Sequence, residues 1–200
     1  MRRAIAAALA LAIVLLVQDT PTNEIARTPT LDLAHLDVRP GDVVFISVPG
    51  AFWADLASKT SLPRFRHGHV GIAVTGGAAP DIVHASGNPV AENAVVVRVP
   101  LTVFAHEAQR IDVFRPRDGA AAVRAAQAAA GFAARRLPFD AAFSLQSRDS
   151  LYCTELVWRA LNEGYGRDTV PRKQSIGGRE MILLSDLETS PLLAPAGTAR

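Results

Sequence analysis

The 200 residues are 49% hydrophobic and 20% charged, with a formal charge of +2 and a single cysteine. That balance describes one ordinary globular domain large enough to bury its own core. The arginines neither cluster nor interleave with aromatic residues, which argues against nucleic acid as a partner, and one cysteine excludes an internal disulfide framework and a cysteine-rich metal site.

The first segment reads as an address rather than as part of the fold. Arg2 and Arg3 precede an uncharged apolar run from Ala4 to Val17. As a helix that run spans about 21 Å, short of the ~30 Å hydrocarbon core. Residues 1–18 are therefore expected to be a signal peptide or an N-terminal membrane anchor, residues 19–38 a polar tether, and the domain to lie in the periplasm or cell envelope. Cleavage after Ala10-Leu11-Ala12 would leave Ile13 to Val17 as an apolar terminus, so an uncleaved inner-membrane tether is the alternative.

Pro40-Gly41-Asp42 predicts a turn, and the β-branched run Val43 to Val48 a strand buried on both faces. A helix is expected over 51–59. In the strand His69 to Val74, Val70, Ile72 and Val74 share one face and His69, Gly71 and Ala73 the other. The second face is nearly bare, which leaves room for a helix to pack on it. Asp81 to Ser86 places Ile82, His84 and Ser86 together, and the two strands make a hairpin. Strands over 94–99 and 110–114 follow, with a loop or short helix over 101–106. A helix is expected over 119–136, with Val123, Ala126, Ala130 and Ala133 on one face.

The next helix runs from the neighbourhood of Cys153 to about Gly164. Asp149 and Ser150 are favoured caps, and Leu156, Val157, Ala160 and Leu161 form its apolar stripe. A thiol in that first turn sits where the helix dipole favours an anion, which predicts a lowered pKa; as a lone residue, Cys153 reads equally as a small buried hydrophobe. Residues 166–179 read as a surface loop, Ser185 to Glu188 has the spacing of a helix cap, and 195–200 are expected to fray.

A thiol hydrolase needs a histidine within reach of its cysteine and a third group to orient the imidazole. His35 and His106 lie in polar stretches, and of His67, His69 and His84 only the last two fall inside apolar strands. Adjacent strands can bring those two onto one face beside Cys153, although a lone strand histidine is more often a hydrogen-bonded core residue. A zinc site of His67, His69, His84 and Cys153 is disfavoured, because Gly68 predicts a turn before the strand and no carboxylate or second cysteine joins the set. No metal and no cofactor is expected.

Five blocks carry a resemblance: Pro40-Gly41-Asp42-Val43-Val44-Phe45, His69-Val70-Gly71-Ile72, Val83-His84-Ala85-Ser86, Pro138-Phe139-Asp140, and Tyr152-Cys153-Thr154-Glu155-Leu156-Val157-Trp158. In this order they resemble the circularly permuted, papain-like NlpC-type cysteine hydrolases of the YaeF/YiiX branch. The resemblance implies an α+β fold over residues 39–194, an antiparallel sheet of about five strands packed against the cysteine helix. It further implies Cys153 as nucleophile, His69 as general base and His84 as the orienting residue. Some relatives carry glutamate at that third position, whereas His84 is similar to the two-histidine arrangement of the related lecithin retinol acyltransferase group. Phe139 stands where a tyrosine is expected, and Glu155 fits the motif as a structural acid.

Two enzyme readings follow. One is an envelope amidase or peptidase acting on a peptide or peptidoglycan-derived substrate; the other is a deacylase or acyltransferase for lipid acyl groups. A non-catalytic envelope binding module with an inert Cys153 is the third.

Overall fold

The computed structural model describes residues 31–50, 52–77, 79–85 and 94–200. The expected export segment over 1–18, the first part of the tether and Ser86 lie outside them. In chain order the elements are β1 (Val43–Ser47), α1 (Phe52–Ser58), β2 (His69–Val74), β3 (Asp81–Ala85), β4 (Val96–Pro100), α2 (Leu101–Phe104), β5 (Arg110–Pro116), α3 (Gly119–Ala134), α4 (Cys153–Tyr165), β6 (Gln174–Ile176), β7 (Arg179–Met181), α5 (Leu184–Glu188) and β8 (Leu193–Ala199).

Six strands form one antiparallel sheet in the order β4-β3-β2-β1-β5-β8. The central strand is β1, and all five of its residues are buried, as a β-branched run covered on both faces requires. On one face Val43, Phe45, Val70, Ile72 and Val74 meet Ala125 and Ala129 of α3 and Leu156, Val157, Ala160 and Leu161 of α4. The opposite face, with Val44, Ile46, Ala73, Ile82, Ile111 and Val113, is covered by Leu101 and Phe104 of α2 and by Leu31, Leu33, Leu36 and Val38. Residues 31–38 thus belong to the packed body, so the expected tether ends earlier than residue 38.

Helix α4 begins at Cys153, with Tyr152 at the N-cap and no side-chain cap; Asp149 and Ser150 lie upstream of it. An absent Ser or Asp cap costs about 1 kcal/mol, whereas each fully buried Leu or Val contributes ~1.5–3 kcal/mol, so packing decides where this helix starts. Its neighbour α3 turns a different face inward from the one expected. Ala121, Ala122, Ala125, Ala126 and Ala129 are buried, and Val123 is exposed. The small residues let the helices approach so closely that a Cβ on Gly164 would stand 2.5 Å from the Ala121 carbonyl oxygen.

Three further expectations are corrected. Residues 174–181 form the β6–β7 hairpin, turned by Gly177 and Gly178 at positive φ, rather than a plain loop. Helix α5 starts at Leu184, and Asp186 rather than Ser185 caps it by accepting from the Leu183 N–H at 2.8 Å. The C-terminal residues do not fray: β8 pairs along β5 from Ile111↔Ala199 to Pro116↔Leu193. Its alanine, proline and glycine content gives no period-2 signal, and what seats it is the open edge of β5.

Candidate active site

Cys153 occupies the first position of α4, half-buried in the lining of a cavity of about 760 Å³ that His69 also lines. Strand pairing explains how the thiol gets there. β2 stays paired with β1 as far as His69, opposite Ile46, but its pairs with β3 run only from Ile72 to Val74. Val70 lies beyond that ladder, and its backbone lies against the Cys153 sulfur. The cysteine helix therefore packs on the Val70, Ile72 and Val74 face, not on the face of His69, Gly71 and Ala73 where it was expected.

The space cleared by Gly71 serves the neighbouring strand. A Cβ there would meet Ile82 Cγ2 at 2.5 Å, the Val83 oxygen at 2.9 Å and His84 Cβ at 3.2 Å. Across that gap His84 reaches diagonally to His69, and His69 Nε2 stands 2.9 Å from His84 Nδ1. The Ala85 carbonyl is 3.1 Å from the same His84 nitrogen. Phe104 packs on both imidazoles, with ring centroids 5.7 Å from His69 and 5.1 Å from His84.

Electrostatically the site is neutral at rest. Burial pushes the His69 pKa down to about 3, with His84 adding to the effect. Burial likewise takes His84 to about 4, against the opposing pull of the Ala85 carbonyl. The Cys153 thiol moves the other way from the expectation: burial raises it to about 11, and the hydrogen bonds from the backbone of Thr154, Cys153 and Val70 only partly offset that. Among the described hydrogen bonds none joins the thiol to His69.

The cavity walls are apolar and tightly tied. Tyr152 is buried, its hydroxyl accepting from the Ile182 N–H at 2.9 Å, while Thr154 Oγ1 donates to the Ile182 carbonyl at 2.6 Å. Phe143, another wall residue, is held at φ +51°, a conformation costing a bulky side chain about 1–3 kcal/mol. Asp140 holds that turn by accepting from the N–H groups of Ala142 and Ser144 at 2.9 and 2.8 Å. The ring of Phe143 lies 5.8 Å from Phe139 and 5.3 Å from Tyr152. Glu155 is fully buried; burial raises its pKa to about 7 against an ion pair with Arg159 at 2.7 Å.

His67 is separate from this pair. It is fully buried, with Nε2 2.7 Å from Asp112 Oδ2 and Nδ1 2.8 Å from Glu188 Oε1. Ionised carboxylates only accept, so with both partners ionised each ring nitrogen donates, an arrangement that favours the imidazolium. Burial opposes that charge, but the two carboxylates outweigh it and raise the His67 pKa. This cluster was not foreseen, although Asp112 between the apolar Ile111 and Val113 is a signal that a buried partner exists. His35 and His106 are exposed, as expected. Among the described residues no group of three or more His, Cys, Asp or Glu is arranged to hold a metal ion.

Comparison with known proteins finds a family and similar solved structures. The sequence model of a family described as permuted papain-like amidase enzyme, YaeF/YiiX, C92 family, matches residues 37–178. Among solved structures the chain is similar to the crystal structure of metalloprotein YiiX from Escherichia coli O157:H7. The two are 19% identical, with a TM-score of 0.62 over 80% of this chain and 97% of that one, a likeness of fold. No curated protein matches.

Proposed function

Because the chain belongs to the YaeF/YiiX family of permuted papain-like amidases, and so is a thiol hydrolase of peptide-type bonds, we propose that Cys153 is its nucleophile, His69 its general base and His84 the residue that orients His69. The observation that carries this reading is the 2.9 Å contact of His69 Nε2 with His84 Nδ1 beside a helix-start cysteine on a shared cavity. If the Nε2–H of His69 donates to His84, the lone pair of Nδ1 is left free to take a proton. The Ala85 carbonyl only accepts, so the tautomer at rest is the other one: His84 Nδ1–H donates to Ala85, His69 Nε2 is an acceptor, and the His69 proton sits on Nδ1 until His84 switches. His84 selects between them.

In the forward step His69 Nδ1 removes the thiol proton as the Cys153 sulfur attacks the substrate carbonyl carbon. The backbone N–H of Cys153, at the helix N-terminus, faces the oxygen that becomes negative. His69 then returns its proton to the amide nitrogen, the C–N bond breaks, and the amine leaves a thioester on Cys153. Water attacks that thioester, giving a proton to His69; the C–S bond breaks, His69 returns that proton to the Cys153 sulfur, and the carboxylic acid departs. The net change is amide plus water to acid plus amine. With thiol and imidazole both neutral at rest, the proton moves during attack and not before it.

The apolar leader over 1–18 supports residence in the cell envelope, which fractionation of the full chain tests. The mechanism is tested by Cys153→Ala and His69→Ala, each expected to lower amide turnover by ~10²–10⁴-fold with the circular dichroism spectrum unchanged. Full activity in either variant removes the assignment.

A further inference from the structure

We propose that the amine released from the substrate carries a free carboxylate one or two residues beyond the scissile bond, and that the Arg66 guanidinium binds that carboxylate. This rests on Cys153 and His69 acting as described above, and it adds a carboxypeptidase-type preference to that reading. Three observations carry it.

The first is the backbone of Arg66. It stands at φ +54°, in the left-handed region where glycine or asparagine is favoured. The bend is imposed by its surroundings: the N–H groups of Phe65 and Arg66 both donate to the Leu62 carbonyl, the Leu62 N–H donates to Glu188, and the His67 N–H donates to Ser61 Oγ. None of these contacts uses the arginine side chain. A residue kept in a strained conformation that another type would adopt freely points to work done by its side chain.

The second is what that side chain faces. Arg66 lines a second cavity of about 450 Å³, whose polar groups are mostly engaged. Ser47 Oγ donates to the Phe65 carbonyl, Ser58 Oγ donates to the Asp55 carbonyl, and Arg110 grips both oxygens of Asp112. Asp55, the one acidic side chain of the lining, accepts from the Gly50 N–H at 3.4 Å. Among the described residues the guanidinium groups of Arg66 and Arg200 and the carboxamide of Gln109 have no partner. Donors without acceptors in a polar cleft select an anion, and the planar fork of a guanidinium matches the two oxygens of a carboxylate.

The third is where this cleft lies. It meets the Cys153 cavity at Val48, Ala54 and Gly68. A Cβ on Gly68 would stand 2.7 Å from the Ala54 carbonyl oxygen, so bare backbone marks the junction, one residue before His69. His69 returns its proton to the amide nitrogen, so the amine departs on the side of His69, which is the side of this cleft. Arg66 precedes His69 by three residues, at most about 11 Å of chain. A carboxylate one or two residues past the scissile nitrogen, together with the length of an arginine side chain, covers that span.

The full-length protein is incubated with N-acetyl tetrapeptides of mixed sequence, each prepared as the C-terminal free acid and as the carboxamide, and relative kcat/KM is read by mass spectrometry of the competing pair. The expected result is cleavage one or two residues before the C-terminus, with kcat/KM about tenfold higher for the free acid, the size of one charge-assisted contact. Arg66→Gly relieves the φ of +54° and is expected to bring that ratio to about one, with a melting temperature no lower than that of the wild type. Arg66→Lys keeps the charge without the planar fork and is expected to keep a smaller ratio that still favours the acid. Equal rates on acid and carboxamide, or a preference that survives in Arg66→Gly, overturn the carboxylate subsite and leave the thiol-hydrolase reading standing. Absence of any cleavage or Cys153 adduct across both series overturns the hydrolase reading itself, and the subsite falls with it.

Discussion

A thiol at the first position of a helix gains up to ~1–2 kcal/mol for its anion from the helix dipole, and burial in the cavity lining takes away more than that. The Cys153 pKa of about 11 is the outcome, with His69 and His84 neutral beside it. Alkylation of the substrate-free protein by iodoacetamide is therefore expected to be slow at pH 6–8 and to accelerate only above pH 9; a fast, pH-independent rate near pH 6 would show a preformed thiolate–imidazolium pair. Turnover behaves differently on the acid side. His69 stays unprotonated down to about pH 3, so kcat/KM is expected to keep its value well below pH 6.5, where an ordinary imidazole base would fail. That His69 and His84 stand together was legible in the strand period, whereas their grouping with Cys153 as a set of roles is what the family resemblance implies. The sign of the thiol shift was not legible, because it depends on Phe139 and the 176–184 segment closing around the helix start from other parts of the chain.

At the scale of elements, the five apolar strands from β1 to β5 and the helices α3 and α4 follow from residue period alone. What escaped is what the sheet edge recruits. β8 has no alternating pattern, yet Leu193 is buried and Thr198 donates to Asp112 at 2.6 Å. Deleting residues 193–200 is expected to lower stability by about 3 kcal/mol or more, read from urea melts, and to expose the β5 edge to aggregation. Gly71 tests the pairing of β2 with β3. Gly71→Ala overpacks against Ile82 and Val83, at ~1–3 kcal/mol, and pushes His84 off His69. Its kcat is expected to fall further than its stability accounts for, a split seen by comparing rates well below the melting temperature. The packing face of α4 was misjudged for the same reason: a bare strand face signals close approach, but not by which neighbour.

Across the whole molecule the buried charge cluster joins parts far apart in the chain. His67 bridges Asp112 of β5 and Glu188 of α5, Arg110 pairs with Asp112, and Glu188 also accepts from Ser61 Oγ and the Leu62 N–H. The folded His67 pKa lies above the unfolded value of 6.5, so its stabilisation is complete below pH 6.5 and is lost as pH rises through the folded value. His69 and His84 have folded values of about 3 and 4, so the stability they confer is present above pH 6.5 and lost as pH falls towards those values. His67→Gln leaves two buried carboxylates short of a cation and is expected to cost ~3–5 kcal/mol near neutrality. The difference between wild type and this variant, measured by urea melts from pH 5 to pH 10, is expected to shrink on the alkaline side; a constant difference would mean the ring is neutral. The sheet that this cluster braces also divides the site. The thiol arrives from the helical layer, and the two imidazoles stand on the opposite face under Phe104. The proposed nucleophile and its proposed base thus hang on separate layers: a substitution in the helical layer is expected to retune the sulfur without reshaping the histidine pair, and one at position 84 to alter that pair without disturbing the helix that carries Cys153.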